Sequence, residues 1–262
     1  MNGWFALMVA AAAISLIFLI GWIWARKINN YSLVDAVWAF GIGLISASWL
    51  VAGGLTIKTS VAAGLVLLWS IRLGWHLQRR IRKAYPEEDS RYVKLRELWK
   101  DRESVAFFLF FQSQAVSVIL LALPFLLVSL DSADAWSVWE TMGLIAVVIG
   151  VAGEAIADEQ IARFKTRNQG SGGVCREGLW GYSRHPNYFF ESVIWLGFYL
   201  YACGSEWGWA TVHAPVIIIY LLLRVTGIPP TEAAAVQRKG DAYRHYQRTV
   251  SAFIPWFPKT KY

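Results

Sequence analysis

The chain has 262 residues, 56% of them hydrophobic and only 16% charged, and its mean hydropathy is +0.40. Because an ordinary soluble domain carries about 25% charged residues, this composition excludes a typical soluble domain and indicates an integral membrane protein. The two cysteines, Cys175 and Cys203, exclude a disulfide scaffold and a cysteine-rich zinc site.

Seven apolar stretches approach the roughly 20 residues that a helix needs to cross a bilayer. The first is not a signal peptide, because no basic residue precedes its apolar run and Arg26 and Lys27 follow it. We therefore expect an all-α integral membrane protein with seven transmembrane helices. The predicted spans cover about 4–25, 33–53, 59–78, 104–130, 137–160, 188–203 and 209–226.

The formal net charge of +7 reflects membrane topology rather than nucleic-acid binding. All but three of the 25 lysines and arginines lie in connections, or in the tail, on one side of the predicted spans; the exceptions are Lys58, Arg72 and Arg224. Cytosolic loops carry an excess of Lys and Arg, so we expect the N-terminus outside and the C-terminus in the cytosol. Without a helix-turn-helix or zinc-finger pattern, the basic charge indicates no nucleic-acid partner.

Ionisable residues at membrane depth are candidate functional positions, because they are expensive there. Arg72, His76 and Arg79 share a helical face at the end of the third span. We expect at least one of them to line a polar cavity, the alternative being arginines that extend to the interface. Asp35 follows Ser32 by three residues, which fits a capping box and equally fits a helix start that opens onto a cavity.

An acidic face leads from the fifth span into the cytosol. Glu154, Asp158 and Lys165 lie at positions i, i+4 and i+11, on one side of a helix. Acids at a membrane boundary need cationic partners, water or ligand hydroxyls. This face is therefore a second candidate binding surface.

The densest motif is GLWGYSRHPNYFFE, at 178–191. Arg184 and His185 stand just before the predicted start of a helix, where backbone N–H groups favour phosphate. Asn187 and Glu191 are four residues apart and face the same way. A polar cluster of this density ahead of a buried acid indicates ligand binding more than a structural role.

These features together resemble the membrane steroid 5-alpha-reductases, above all their bacterial multi-span branch. The same Arg-His-Pro element is also found in the related sterol reductases and in isoprenylcysteine and phospholipid methyltransferases. The resemblance covers most of the chain and is strongest from about 150 to 262. It rests on 178–191, the acidic face, the Tyr243-x-x-Tyr246 tail with Ile254-Pro255, and Val34-Asp35-Ala36-Val37-Trp38.

The resemblance implies a single seven-helix membrane domain, 1–262, that binds NADPH in a cavity open to the cytosol. Its helices at 1–130 would form the substrate side, and 137–262 would form the cofactor-binding half. Asn187 and Glu191 would flank the nicotinamide, and Tyr243 and Tyr246 would close over the nucleotide. The implied cofactor contacts are Arg79, Arg91, Glu154, Asp158, Lys165, Arg184, His185, Asn187, Glu191, Tyr243 and Tyr246.

The resemblance also implies the reaction, which is reduction of the 4,5 double bond of a 3-oxo-Δ4-steroid or a similar enone lipid. An acid in span two and a tyrosine in span three polarise the substrate carbonyl in the animal enzymes. The acid corresponds to Asp35, whereas the tyrosine position falls near His76, a departure from the pattern. A protonated Asp35 or His76 would donate a hydrogen bond to the developing oxyanion.

Two other functions remain open on the sequence. An S-adenosylmethionine-dependent membrane methyltransferase shares the Arg-His-Pro element but needs no oxyanion donor in spans two and three. A transporter or lipid-binding protein is disfavoured, because no internal repeat is visible. In each case the chain is expected in a bacterial inner membrane or the endoplasmic reticulum, with membrane lipid around it and no metal ion or obligatory protein partner.

Overall fold

The computed structural model describes residues 2–131, 133, 135–168 and 173–259. This part of the chain is all-helical and contains no strand, as the apolar runs predict, and one isolated bridge joins Ser183 to Ser251. Its α-helices are α1 (Gly3–Lys27), α2 (Leu33–Ala52), α3 (Ile57–Ala84), α4 (Ser90–Leu98), α5 (Glu103–Leu130), α6 (Val138–Arg167), α7 (Pro186–Ala202), α8 (His213–Tyr220), α9 (Ile228–Lys239) and α10 (Asp241–Thr249).

Within these residues, six helical segments are long and apolar enough to cross a membrane, which fits a multi-pass membrane protein. Five of them contain α1, α2, α3, α5 and α6, as predicted, and the sixth, Gly208–Lys239, contains the predicted stretch 209–226. The stretch 188–203 forms α7, which has 17 residues. That length is below the roughly 20 residues of a full span, so a seventh crossing stays a prediction.

The chain divides into two compact units. Unit 1 comprises Met1–Glu140 and Ala202–Thr211, and unit 2 comprises Thr141–Tyr201 and Val212–Tyr262. Unit 1 therefore contains α1 to α5, and unit 2 contains α8 to α10 and almost all of α6 and α7. The candidate site residues fall into both units.

In unit 1, α2 packs against α3 and α5, and α1 packs against α5. Polar side chains join these apolar helices at a few points, because a buried donor needs an acceptor. The Ser70 hydroxyl donates to the carbonyl of Ala39 at 2.8 Å, and the Trp38 indole donates to the hydroxyl of Ser117 at 2.9 Å. These bonds fix α2 against α3 and α5.

In unit 2, small residues let α6 and α7 approach closely. A Cβ atom at Gly143 would overlap Tyr201, and one at Gly150 would overlap Ile194. Small residues at such crossings are typical of helices that pack within a membrane. The close approach places the acidic face of α6 and the motif at the start of α7 in the same unit.

A buried ion cluster joins three connections of unit 1. The Lys58 ammonium, only 3% exposed, lies 2.7 Å from the Asp131 carboxylate and 2.9 Å from the Glu140 carboxylate, and donates to the Gly204 carbonyl at 3.0 Å. Charges this deep are tolerated only when they are paired. Lys58, an exception in the charge distribution of the sequence, therefore has a structural role.

Replacing this lysine tests the cluster. We expect Lys58→Met to lower the free energy of unfolding by about 3–5 kcal/mol, because two buried carboxylates lose their cation. Thermal unfolding of the detergent-solubilised protein measures the effect. Lys94→Met, at an exposed position in α4, is the matched control, and an equal shift in both variants would contradict the proposed role of Lys58.

Candidate functional site

A polar cluster in unit 1 surrounds Asp35 in the first turn of α2. The Arg91 guanidinium lies 2.6 Å from one carboxylate oxygen of Asp35, and the Tyr92 hydroxyl donates to the other oxygen at 2.6 Å. The Arg80 guanidinium lies at 3.4 Å. Asp35 thus accepts hydrogen bonds at both of its carboxylate oxygens.

The local sequence explains why α4 meets the start of α2. Asp89 caps α4, because its carboxylate accepts the backbone N–H of Arg91 at 3.0 Å. The Ser32 hydroxyl in turn accepts the backbone N–H of Asp89 at 3.0 Å and makes no capping bond to its own helix. The capping-box interpretation of Ser32 and Asp35 is therefore wrong, since both side chains are used to hold α4.

Tyr92 is the residue that the sequence reasoning missed at this site. Its side chain is only 4% exposed. Burial, together with the negative charge of Asp35, raises the pKa of Tyr92 well above its ordinary value. The phenol therefore stays protonated at neutral pH. The signal in the sequence is the tyrosine that directly follows Arg91, a residue that the family resemblance implies as a cofactor contact.

The other predicted residues of unit 1 lie on α3. His76 and Arg79 are both exposed, and the Arg79 guanidinium lies over the Trp75 ring at 5.1 Å. An arginine that lies over an aromatic ring near a helix end fits the alternative in which the arginines on this face of α3 extend to the membrane interface. The structure therefore brings Arg91 together with Asp35, while the roles of His76 and Arg79 stay predictions.

Unit 2 carries the acidic face on α6. The helix is continuous over Val138–Arg167, so Glu154, Asp158 and Lys165 do share one side. Glu154 is buried, Asp158 is half-buried and Lys165 is exposed. The acidic face thus runs from the interior of unit 2 to its exterior. Such a face could contact an elongated ligand along its length.

Arg184 and His185, which the sequence places at a candidate phosphate site, both contact the Glu232 carboxylate in the structure. The Arg184 side chain contacts the Glu232 carboxylate at 2.7 Å and donates to the carbonyls of Gln247 and Val250 at 2.9 and 2.6 Å. The His185 ring lies 3.2 Å from the same carboxylate. These contacts bind the turn to α9 and α10, so the donors expected to hold phosphate are engaged by the chain itself.

The two tail tyrosines also belong to the interior. Tyr243 and Tyr246 pack in a small apolar cluster with Ala235 and Val250. The Tyr246 hydroxyl donates to the Trp180 carbonyl at 2.5 Å. Burial raises the pKa of Tyr243 to about 12. Their predicted closure over a nucleotide therefore requires a movement of α10 away from this cluster.

Asn187 and Glu191 occupy the first two turns of α7. The Glu191 carboxylate accepts the indole N–H of Trp195 at 2.9 Å. The side-chain oxygen of Asn187 is buried and accepts no hydrogen bond from the residues that the structure describes. A buried carbonyl oxygen without a donor is costly, so Asn187 is the member of the motif best suited to a ligand N–H.

An apolar groove of about 450 Å³ lies in unit 1. On a helix of 3.6 residues per turn, its α2 residues lie on the side opposite Asp35. The groove is therefore separate from the polar cluster and suits a hydrocarbon chain. Its lining residues are Ile17, Leu33, Ala36, Val37, Phe40, Gly41, Leu44 and Gln78.

The polar cluster predicts a pH dependence of stability. Burial acts to raise the pKa of Asp89, but the hydrogen bonds and charge of Arg91 outweigh it and lower the pKa below the ordinary value of 3.8. A carboxyl group with a lowered pKa in the folded state contributes stability above pH 3.8, and this contribution is lost as the pH falls through the folded value.

We therefore expect the acid-induced fall in melting temperature below about pH 4 to be smaller in Asp89→Asn than in the parent chain. Melting temperatures between pH 3 and pH 7 measure it. Asp101→Asn, at an exposed position, is the control. Parallel pH curves for the parent and Asp89→Asn would show that Asp89 does not titrate with folding.

Comparison with known proteins places the chain in a family. An uncharacterized protein of Schizosaccharomyces pombe (strain 972) is 28% identical over 261 residues, a match that covers 89% of this chain and 74% of the yeast protein. A family model described as a protein of unknown function matches residues 21–250, which include α2 to α10 and every residue of the clusters around Asp35 and Glu232. The chain therefore belongs to the DUF1295 family.

Proposed function

We propose that this protein is a membrane-bound, NADPH-dependent reductase of an enone lipid, of the steroid 5-alpha-reductase type. The observation that carries the proposal is the 2.6 Å hydrogen bond between the Tyr92 hydroxyl and Asp35. An acid paired with a tyrosine is what the family resemblance implies for polarising a substrate carbonyl, but here the tyrosine comes from α4 and not from the third span, where the family's tyrosine position falls near His76. A 3-oxo-Δ4-steroid is the substrate class to test first.

The reaction requires a hydrogen-bond donor at the substrate carbonyl. Bound NADPH supplies the hydride that adds to the β-carbon of the enone. Negative charge then develops on the carbonyl oxygen, and a donor aimed at this oxygen lowers the barrier. We assign this role to the Tyr92 hydroxyl, whose raised pKa keeps its proton in place at neutral pH.

Asp35 positions this donor in our proposal. Its two oxygens already accept hydrogen bonds from Arg91 and Tyr92, so the expected role of a protonated Asp35 as donor passes to the tyrosine. The hydroxyl hydrogen of Tyr92 must turn from Asp35 to the substrate. That exchange becomes favourable as charge grows on the carbonyl oxygen, which is the condition for a transition-state interaction.

The residues of unit 2 fit a nicotinamide nucleotide. The unpartnered oxygen of Asn187 suits the carboxamide N–H of a nicotinamide. The carboxylates of Glu154 and Asp158 suit ribose hydroxyls, and the exposed Lys165 suits a phosphate. Glu154, Asp158 and Lys165 follow one face of α6 from the interior to the surface, so a ribose and then a phosphate of the cofactor would be met in that order.

The proposal includes a topology. We propose seven crossings, with α7 as the sixth, the N-terminus outside and the C-terminus in the cytosol, in a bacterial inner membrane or the endoplasmic reticulum. The bias of Lys and Arg toward one set of connections supports this orientation. An apolar substrate would then enter from the bilayer, while the basic cytosolic side would attract the phosphates of NADPH.

Tyr92→Phe tests the chemistry. With NADPH and a 3-oxo-Δ4-steroid, we expect about 10²–10³-fold lower turnover, since one oxyanion donor is removed. The affinity for NADPH should stay unchanged. Product formation by mass spectrometry gives the rate. Tyr85→Phe, at an exposed tyrosine, is the control, and equal turnover in the parent and Tyr92→Phe would contradict the assignment.

Asn187→Ala tests the cofactor. We expect an affinity for NADPH lower by up to about tenfold, the cost of one lost hydrogen bond, in a direct titration. Ser192→Ala is the control, because the Ser192 hydroxyl bonds within α7. Mass spectrometry of small molecules released from the purified protein should find NADP(H). Finding S-adenosylmethionine there instead would favour the methyltransferase alternative.

A further inference from the structure

A small cavity of about 280 Å³ in unit 2 is lined by two cationic side chains and a histidine. Arg176, His245 and Lys259 come from three different segments of the chain, with Gly181 and Thr249 between them. We call this cavity the basic pocket. It lies outside the six helical segments long enough to cross a membrane, and it borders the Tyr246 cluster through Val250, which lines both.

The charge balance of the basic pocket differs from that around Arg184. Within the described residues, no carboxylate pairs with Arg176, His245 or Lys259, whereas the buried Arg184 is paired with Glu232. The acid next to Arg176 in sequence, Glu177, is paired with Arg167. Gathered positive charge without compensation favours binding of an anion.

Contacts made by the lining residues and by the C-terminal tail hold the pocket in shape. The Arg176 guanidinium lies over the ring of Tyr246 at 5.4 Å, a contact that restricts the arginine. The backbone N–H of Lys259 donates to the Thr249 carbonyl at 2.8 Å. The N–H of Trp256 donates to the Tyr182 carbonyl at 3.0 Å, so the tail is fixed along one wall.

Exposed aromatic residues stand next to this charge. Trp256 is 68% exposed and Phe257 is 75% exposed, and both immediately precede Pro258 and Lys259 of the pocket. The Tyr182 ring, also exposed, contacts Phe257 with 6.0 Å between centroids. Aromatic side chains beside lysines and arginines are typical of protein surfaces at the headgroup level of a bilayer.

We propose that the basic pocket binds the phosphate of an anionic phospholipid headgroup, while Trp256 and Phe257 lie in the interfacial layer beside it. A phospholipid offers both partners at once, a phosphate for the two cations and the histidine, and acyl chains for the exposed rings. The contact would hold the C-terminal tail on the membrane surface. This proposal is independent of the enzymatic function proposed above.

Native mass spectrometry of the intact protein in detergent tests the site, with phosphatidylglycerol titrated against phosphatidylcholine as the neutral reference. We expect Arg176→Gln and Lys259→Gln each to weaken phosphatidylglycerol binding about fivefold, the contribution of one basic residue at an anionic surface. Lys259 lies in the exposed tail, so its variant tests the site even where Arg176→Gln perturbs folding.

Arg248→Gln is the matched control, because it removes the same charge from an exposed position on α10 that does not line the pocket. Equal weakening in Arg248→Gln would overturn the proposal, since binding would then follow net charge alone. Displacement of phosphatidylglycerol by NADP⁺, with both pocket variants losing affinity for NADP⁺, would also overturn it and assign the pocket to a nucleotide phosphate.

Discussion

The pairing of charge in an apolar surrounding organises both units of this protein. Each buried ionic group must meet an opposite charge, because the cost of an isolated one is several kcal/mol or more. Lys58 meets Asp131 and Glu140 in unit 1, and Arg184 meets Glu232 in unit 2. In both places the ion pair joins segments that are distant in the sequence. Apolar packing holds the helices together, and the ion pairs hold the segments that connect them.

The same constraint decides which polar residues remain available for chemistry. Arg184 and His185 stand in the densest motif of the sequence, yet their side chains contact Glu232 and hold the turn to α9 and α10. Asp35 is likewise occupied, because its two oxygens accept hydrogen bonds from Arg91 and Tyr92. In the proposed reductase, charged residues thus position one neutral donor, the Tyr92 hydroxyl.

Polar groups that lack a partner point to ligands by the same reasoning. The Asn187 oxygen accepts no hydrogen bond from the described residues, and the cations of the basic pocket have no carboxylate beside them there. A neutral amide suits a nicotinamide, and gathered positive charge suits a phosphate. The Asn187 oxygen and the basic pocket both lie in unit 2, and they suit ligands of different chemistry.

Helix positions and the bias of basic charge were determined by the sequence alone, because apolar periodicity and length act locally. The acidic face of α6 could also be predicted from the sequence, because the spacing of Glu154, Asp158 and Lys165 puts them on one side of a continuous helix. Only the tertiary structure decided that Tyr92 lies against Asp35, 57 residues away, and that Arg184 reaches Glu232, 48 residues away. Such pairings depend on how helices pack and on which charges must be neutralised, and neither is visible in local spacing.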